Sequence, residues 1–321
     1  MQTLLEKTRA YTLLCADKNN ERLGHAYLLL LDDARNLRTA LKTFAKPFFD
    51  CENGADENSV RLARLIDSES YVDCHFFPES GQKFVVEDAE KIAEECTLQP
   101  TEGEKKLFVV CGFDEATLPA QNKLLKLLEE PPKGVYFLLG ARTAYPVLST
   151  VLSRVQKLEI PPFDGLEIAK CLARMHGDEF TKSDYELCAM ASGGTLGSAQ
   201  EMLFGGAYKM LVDEAFALCL GEKNALPVTV KRLGETKRKR ELLSLISLIF
   251  RDALVYKTGV AGANGILLRS EFSRLQAVAK RYSARALTKA QTLVVKAEKE
   301  LFFNAVFPQC LETMFAKLYE I

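Results

Sequence analysis

The first 160 residues alternate short apolar runs with segments of helical spacing, and no such alternation recurs afterwards. "AYLLLL" (26–31) is continuously apolar, the pattern of a strand buried on both faces. "CHFFP" (74–78), "KKLFVVCG" (105–112), "GVYFLLG" (134–140) and "VQKLEI" (155–160) supply four further strand candidates. Between them lie "RNLRTALKTFAKPFF", "VEDAEKIAEEC" and "LPAQNKLLKLLEE", each with helical periodicity. Strands separated by helices predict an α/β domain with a parallel sheet sandwiched by helices. After "PPF" (161–163) the strands stop. Residues 164–204 read as two or three short helices broken at "SGGTLGS", and residues 206–321 are helix-periodic almost throughout, most plainly in "ELLSLISLIFRDALVYK" (241–257). The expected organisation is an α/β domain over 1–162, a small helical domain over 163–205 and a larger all-α domain over 206–321.

Charge and cysteine content exclude several classes. Net charge is −1, so no global field favours nucleic acid or a membrane surface. Residues 1–160 carry 20 Lys and Arg against 25 Asp and Glu, and residues 161–321 carry 22 against 18, which permits a basic surface only in the second half. The nine cysteines include no two within four positions, so no CxxC pair starts a metal site. An odd count without an export pattern predicts a cytoplasmic chain in which Cys serves as a small apolar residue. The longest apolar run is far too short to span a bilayer. His25, His75 and His176 are isolated, and no nucleophile–His–acid constellation stands out.

Two short motifs carry more information. In "LLKLLEEPP" (124–132), Leu124, Leu125, Leu127 and Leu128 give a helix its buried face. Pro131 and Pro132 lack amide donors, and Pro131 pushes Glu130 out of the helical region, so the helix must stop there. "LSRV" (152–155) places Arg154 just before the fifth strand. The ungapped stretch from Lys106 to Val155, with "HAYL" (25–28), "FRDAL" (250–254) and "NAVFPQCLETMFAKL" (304–318), resembles the AAA+ clamp loaders over nearly the whole chain. The resemblance implies an AAA+-type α/β domain, a helical lid and an all-α collar through which subunits join.

The same resemblance exposes what is missing. An active member needs a glycine-rich loop whose amides wrap the phosphates, with a lysine behind it. Here "LLLDDARNLRTALK" (29–42) puts Leu31, Ala34 and Asn36 at the glycine positions, Leu37 at the lysine position and Arg38 at the Ser/Thr position. Asp32 and Asp33 would repel phosphate. The metal-binding Asp-Glu becomes Cys111-Gly112, and "DEAT" (114–117) comes about three residues too late, so Asp114 and Glu115 are expected to open the next helix. Arg142 stands where a small hydroxyl is needed, and the lid arginine that would touch the γ-phosphate corresponds to Gly197. The family's zinc module needs four cysteines where only Cys51 and Cys74 occur. No bound nucleotide, other cofactor or metal is therefore expected, and no hydrolysis in cis.

What survives is Arg154, with Ser153 beside it. In the family this arginine reaches into a neighbouring subunit's ATP site, where its planar fork suits the charge of phosphoryl transfer. Val155 stands where the family has Cys; the alternative for Arg154 is a surface arginine in an ordinary ion pair. The resemblance then implies a non-hydrolysing member of a bacterial, cytoplasmic five-membered ring with δ and γ or τ subunits, loading the sliding clamp onto primer–template DNA for DNA polymerase III. An ATP-hydrolysing γ/τ-like subunit is the alternative that "LLLDDARNLRTALK" argues against. The basic run "KRLGETKRKRE" (231–241), with Lys231, Arg232, Lys237, Arg238, Lys239 and Arg240, reads as a solvated helix start rather than a DNA contact.

Overall fold

A computed structural model of the chain describes residues 1–52, 56–79, 81–205, 207–221, 226–233, 236, 238–259, 265–303 and 305–319. The chain divides into two compact units, Met1–Pro162 and Phe163–Ile321.

The first unit holds helices α1 (Gln2–Leu5), α2 (Arg9–Asn19), α3 (Leu37–Ala45), α4 (Glu57–Asp67), α5 (Val86–Glu95), α6 (Leu118–Glu129) and α7 (Ser149–Leu152). Its strands are β1 (Ala26–Leu30), β2 (Cys74–Phe77), β3 (Lys106–Cys111), β4 (Val135–Ala141) and β5 (Gln156–Glu159). All five expected strands form, and they make one wholly parallel sheet in the order β2-β3-β4-β1-β5. This is the AAA+-type α/β arrangement anticipated above.

Period-two alternation divides the core. Leu28, Phe108, Val110, Phe137 and Leu139 face one way and join Ala89 and Ile92 of α5, Ala120, Leu124 and Leu128 of α6, and Val151 of α7. On the other face Tyr27 and Tyr136 meet the ring of Phe48 edge-on, with centroids 5.9 and 5.6 Å away. Gly140 in β4 lets α3 approach this face, since a side-chain carbon there would lie 2.6 Å from Leu41.

Helix α6 ends where the double proline requires. Glu130 is extended (φ −131°), and Glu129 is the last helical residue. Leu124 and Leu128 are fully buried, whereas Leu125 and Leu127 are partly buried at the edge of the same cluster. Gln121, 1% exposed, sits on the same buried stripe.

The second unit is all-α among the described residues: α8 (Gly165–His176), α9 (Lys182–Ala191), α10 (Leu196–Phe204), α11 (Ala207–Leu220), α12 (Leu226–Leu233), α13 (Lys239–Thr258), α14 (Phe272–Arg281), α15 (Ala284–Phe302) and α16 (Phe307–Tyr319). Helix α13 is central, packing on α9, α11, α14 and α15. The terminal carbonyls of α11 are satisfied from other helices: Tyr282 Oη donates to Cys219 O (2.9 Å), Arg281 donates to Leu220 O and Gly221 O (2.9 and 2.6 Å), and Tyr319 Oη also donates to Gly221 O (2.9 Å). Asp252 of α13 is completely buried and accepts from the amides of Leu267 and Leu268 (2.8 and 2.7 Å) and from Arg251 (2.6 Å). It ties the segment after α13 back onto that helix. Asp252→Ala strands two amides and an arginine, so urea unfolding should show a loss of about 2–4 kcal/mol. An unchanged midpoint would mean that the tie is redundant.

Candidate functional site

In a parallel sheet every strand delivers its following loop to the same edge, where α/β proteins assemble ligand sites. Here that edge carries a cavity of about 370 Å³. Its lining brings together Ala34, Leu37 and Arg38 from the β1–α3 segment, Cys111 and Gly112 after β3, and Arg142 after β4. These distant positions were all assigned from sequence to one degenerate nucleotide site. Leu31 and Asn36 are buried beside it, and Gly197 belongs to the second unit, in α10.

The residues at this edge are committed to one another. The amide of Asp33 donates to Leu31 O (2.8 Å), while the Asp33 carboxylate accepts from the Asn36 amide and side chain (3.2 and 3.0 Å). The turn thus spends amides internally that a phosphate cradle must present, and it brings a carboxylate to the α3 N-terminus, where the helix dipole would otherwise favour an anion. Leu37 is 2% exposed and packed inward. Arg38 grips Glu69 with two bonds (2.7 and 2.5 Å) and donates to Pro78 O (2.8 Å). Hydrogen bonding from Arg38 holds the Glu69 carboxyl down at about 2, against its ordinary 4.5. Arg142 donates to Asp114 and Glu115, both at 3.2 Å.

Asp114 and Glu115 do not open α6. They lie on a 3-10 turn, Phe113–Glu115, and Thr117 caps α6 by accepting from the Ala120 amide (3.4 Å). The left-handed Gly112 (φ 72°) turns the chain out of β3 before that turn, which a helix-start reading of "DEAT" overlooked. Asp32 lines a second cavity of about 580 Å³ with Arg9, Arg142, Lys157 and Glu159. Among the described residues no group of three or more His, Cys, Asp or Glu side chains could hold a metal, and no helix is long and apolar enough to cross a membrane. Cys51 and Cys74 are both buried, and burial pushes the Cys51 thiol up to about 12.

Arg154 lies at the other edge. It precedes β5, while the cavity follows β1, β3 and β4. Through the registers Tyr27↔Gln156 and Leu30↔Ala141, the levels of Gln156 and Ala141 are three residues apart, roughly 10 Å along the strands. Arg154 and Arg142 extend beyond that span in opposite directions. The guanidinium donates to Thr150 O (2.8 Å) and Ser153 Oγ (2.9 Å) and is ion-paired with Glu129, the last residue of α6. The ion pair posed as the alternative for this arginine is therefore present in the chain by itself, with the side chain 32% exposed. Glu129 was not anticipated, because nothing in local spacing links it to a residue 25 positions on. Of the basic run, Arg238, Lys239 and Arg240 are described at the start of α13; Lys237 and the side chains of Lys231 and Arg232 lie outside the described residues.

A family model described as "DNA polymerase III, delta subunit" matches residues 6–164. Full-length similarity extends to the DNA polymerase III subunit delta′ of Bacillus subtilis, 25% identical over 97% of this chain and 96% of that one. The tau subunit of the same organism is 23% identical over 88% of this chain and 54% of its own length. The family model and the full-length relative alike make this chain similar to the clamp-loader subunits of DNA polymerase III. Among solved structures, a gamma-subunit-related protein from Thermotoga maritima is 18% identical, with a TM-score of 0.43 over 98% of this chain and 99% of that one.

The Arg38–Glu69 pair makes a testable contribution to acid stability. The folded carboxyl titrates near 2 and an unfolded one near 4.5. The stabilisation is thus complete above about pH 4.5 and is lost as pH falls toward 2. Allowing for solvent screening of a partly exposed pair, it should be worth about 1–2 kcal/mol. Urea unfolding across this window should show Arg38→Met weakened by that amount at neutral pH and converging on the parent at low pH. Parallel curves at every pH would dismiss the pair as the cause.

Proposed function

We propose that the chain is a non-hydrolysing, delta′-type subunit of a bacterial DNA polymerase III clamp loader, lending Arg154 to the ATP site of a neighbouring subunit. On this reading its partners are δ and γ or τ in a five-membered ring that opens the sliding clamp and sets it on primer–template DNA. Residues 163–205 serve as the lid and 206–321 as the collar that joins the ring, while the chain acts as a relatively fixed piece against which the ATP-driven subunits move. The observation that carries the proposal is the opposition of the two edges. Arg38 and Arg142 of the cavity are bound to the chain's own carboxylates, while Arg154 precedes β5 at the other edge of the sheet.

The chemistry fits such a loan. A guanidinium opposite a γ-phosphate neutralises the charge spread over the equatorial oxygens in transfer, and such groups contribute about 10³–10⁵ in rate, or roughly 4–7 kcal/mol of barrier. The Glu129 pair that Arg154 must relinquish or share is solvent-accessible and of the kind worth roughly 0–1 kcal/mol. Exchange of a carboxylate for a triphosphate is thus favourable.

In the reconstituted loader with clamp and primed DNA, Arg154→Ala should leave ring assembly intact. It should lower turnover at the site it supplies by about 10³-fold or more, so that the ring loses at least that site's share. Unchanged turnover removes the finger from the account. Calorimetric titration of the isolated chain with ATP and magnesium at millimolar concentration should give no binding isotherm; a clear one would favour an ATP-hydrolysing γ/τ-like role.

A further inference from the structure

The segment that carries Arg154 is too short to orient itself. Helix α7 has four residues, and its N-cap, Leu148, has no side chain able to cap it. A single helical turn is unstable without outside support. That support comes from α6, through a buried polar side chain on an otherwise apolar stripe. Gln121 Oε1 accepts from the Leu148 amide (2.9 Å), and Gln121 Nε2 donates to Pro146 O and Ala116 O (both 3.3 Å). Both faces of one amide are used, and they hold the backbone on either side of Val147. Leu148 O then accepts from Val151 N and Leu152 N (both 3.0 Å), starting α7, and Thr150 O in α7 holds the Arg154 guanidinium. The same helix reaches Arg154 again at its far end through Glu129.

We infer that Gln121 is a positioning residue for Arg154: its amide clamps residues 146–148, sets the direction of α7, and thereby aims the guanidinium at the partner's triphosphate. This rests on the reading of Arg154 as a finger supplied in trans. Val151, fully buried in the core, anchors α7 in depth, while the Gln121 amide meets the backbone that leads into it.

The test is a mutant cycle in the reconstituted loader. Gln121→Met keeps the volume and removes all three hydrogen bonds, and Gln121→Glu keeps the acceptor for the Leu148 amide. With Arg154 present, Gln121→Met should lower kcat at the supplied site by about 10–100-fold, with KM for ATP unchanged. Gln121→Glu should fall between it and the parent. In an Arg154→Ala background neither substitution should lower kcat further. An equal loss in both backgrounds would make Gln121 merely structural, and so would a loss that follows the amount of ring assembled; either overturns the proposal. No loss from Gln121→Met where Arg154→Ala does lower kcat overturns it too, while leaving the finger in place. No loss from Arg154→Ala removes the finger itself, and the positioning role with it. Should Gln121→Met fail to assemble, Gln121→Glu alone carries the cycle, with the same outcomes.

Discussion

Five strands running one way give this unit two chemically different edges, and the rest of its behaviour follows from that polarity. Every loop leaving a strand arrives at one edge and every loop entering a strand departs from the other. The register between β1, β4 and β5 puts the start of β5, which follows Arg154, and the end of β4, which precedes Arg142, three residues apart along the sheet. A substitution at one edge can therefore abolish one kind of chemistry without touching the other. An antiparallel sheet would mix the two sets of loops and offer no such independence.

The cavity edge shows how a turn without glycines closes on its own side chains. Removing glycines and a lysine from a phosphate loop would leave unpaired polar groups and open space, both costly in a buried setting. Instead Asp33 and Asn36 close the turn on itself, Arg38 joins Glu69 and Pro78, and Arg142 joins Asp114 and Glu115. Arg38 and Arg142 thus make their contacts inside the chain. The cavity retains about 370 Å³, and two of its cations, Arg38 and Arg142, are already paired, so a triphosphate would have to break those ion pairs before engaging them.

Legibility in sequence followed the range of the interaction. The strands were plain because a buried strand must be apolar along its length, as "AYLLLL" and the "LFVV" of β3 are. The end of α6 was plain because Pro131 acts on its immediate neighbour. The start of α6 was misplaced because Gly112 adopts a left-handed conformation that composition does not announce. Glu129 was invisible as the partner of Arg154, since no period connects α6 to the residue before β5. Gln121 left a trace, a polar residue on the apolar stripe that includes Ala120, Leu124 and Leu128, and a buried polar side chain always raises the question of its partners. The Asp252 tie left a similar trace within "LLSLISLIFRDALVYK".

The grip of α6 on the finger segment divides into two unequal kinds of contact. Gln121, itself buried, binds neutral backbone groups through both ends of its amide, so its hold is insensitive to salt. Glu129 binds a charge in a half-open site, where screening weakens the pair and the side chains keep alternatives. Stiffness belongs at the base of a group that must arrive in one orientation, because misalignment forfeits transition-state stabilisation steeply. Weakness belongs at its tip, because whatever holds the guanidinium in the free chain must yield to a more highly charged acceptor. The reverse arrangement, a loose base and a buried ion pair at the tip, would hold the arginine in place and leave it unable to leave, since separating a buried pair strands a charge at a cost of several kcal/mol. On the proposed reading of Arg154 as a finger, a rigid amide upstream and an exposed carboxylate at the end would let one helix both aim the cation and release it.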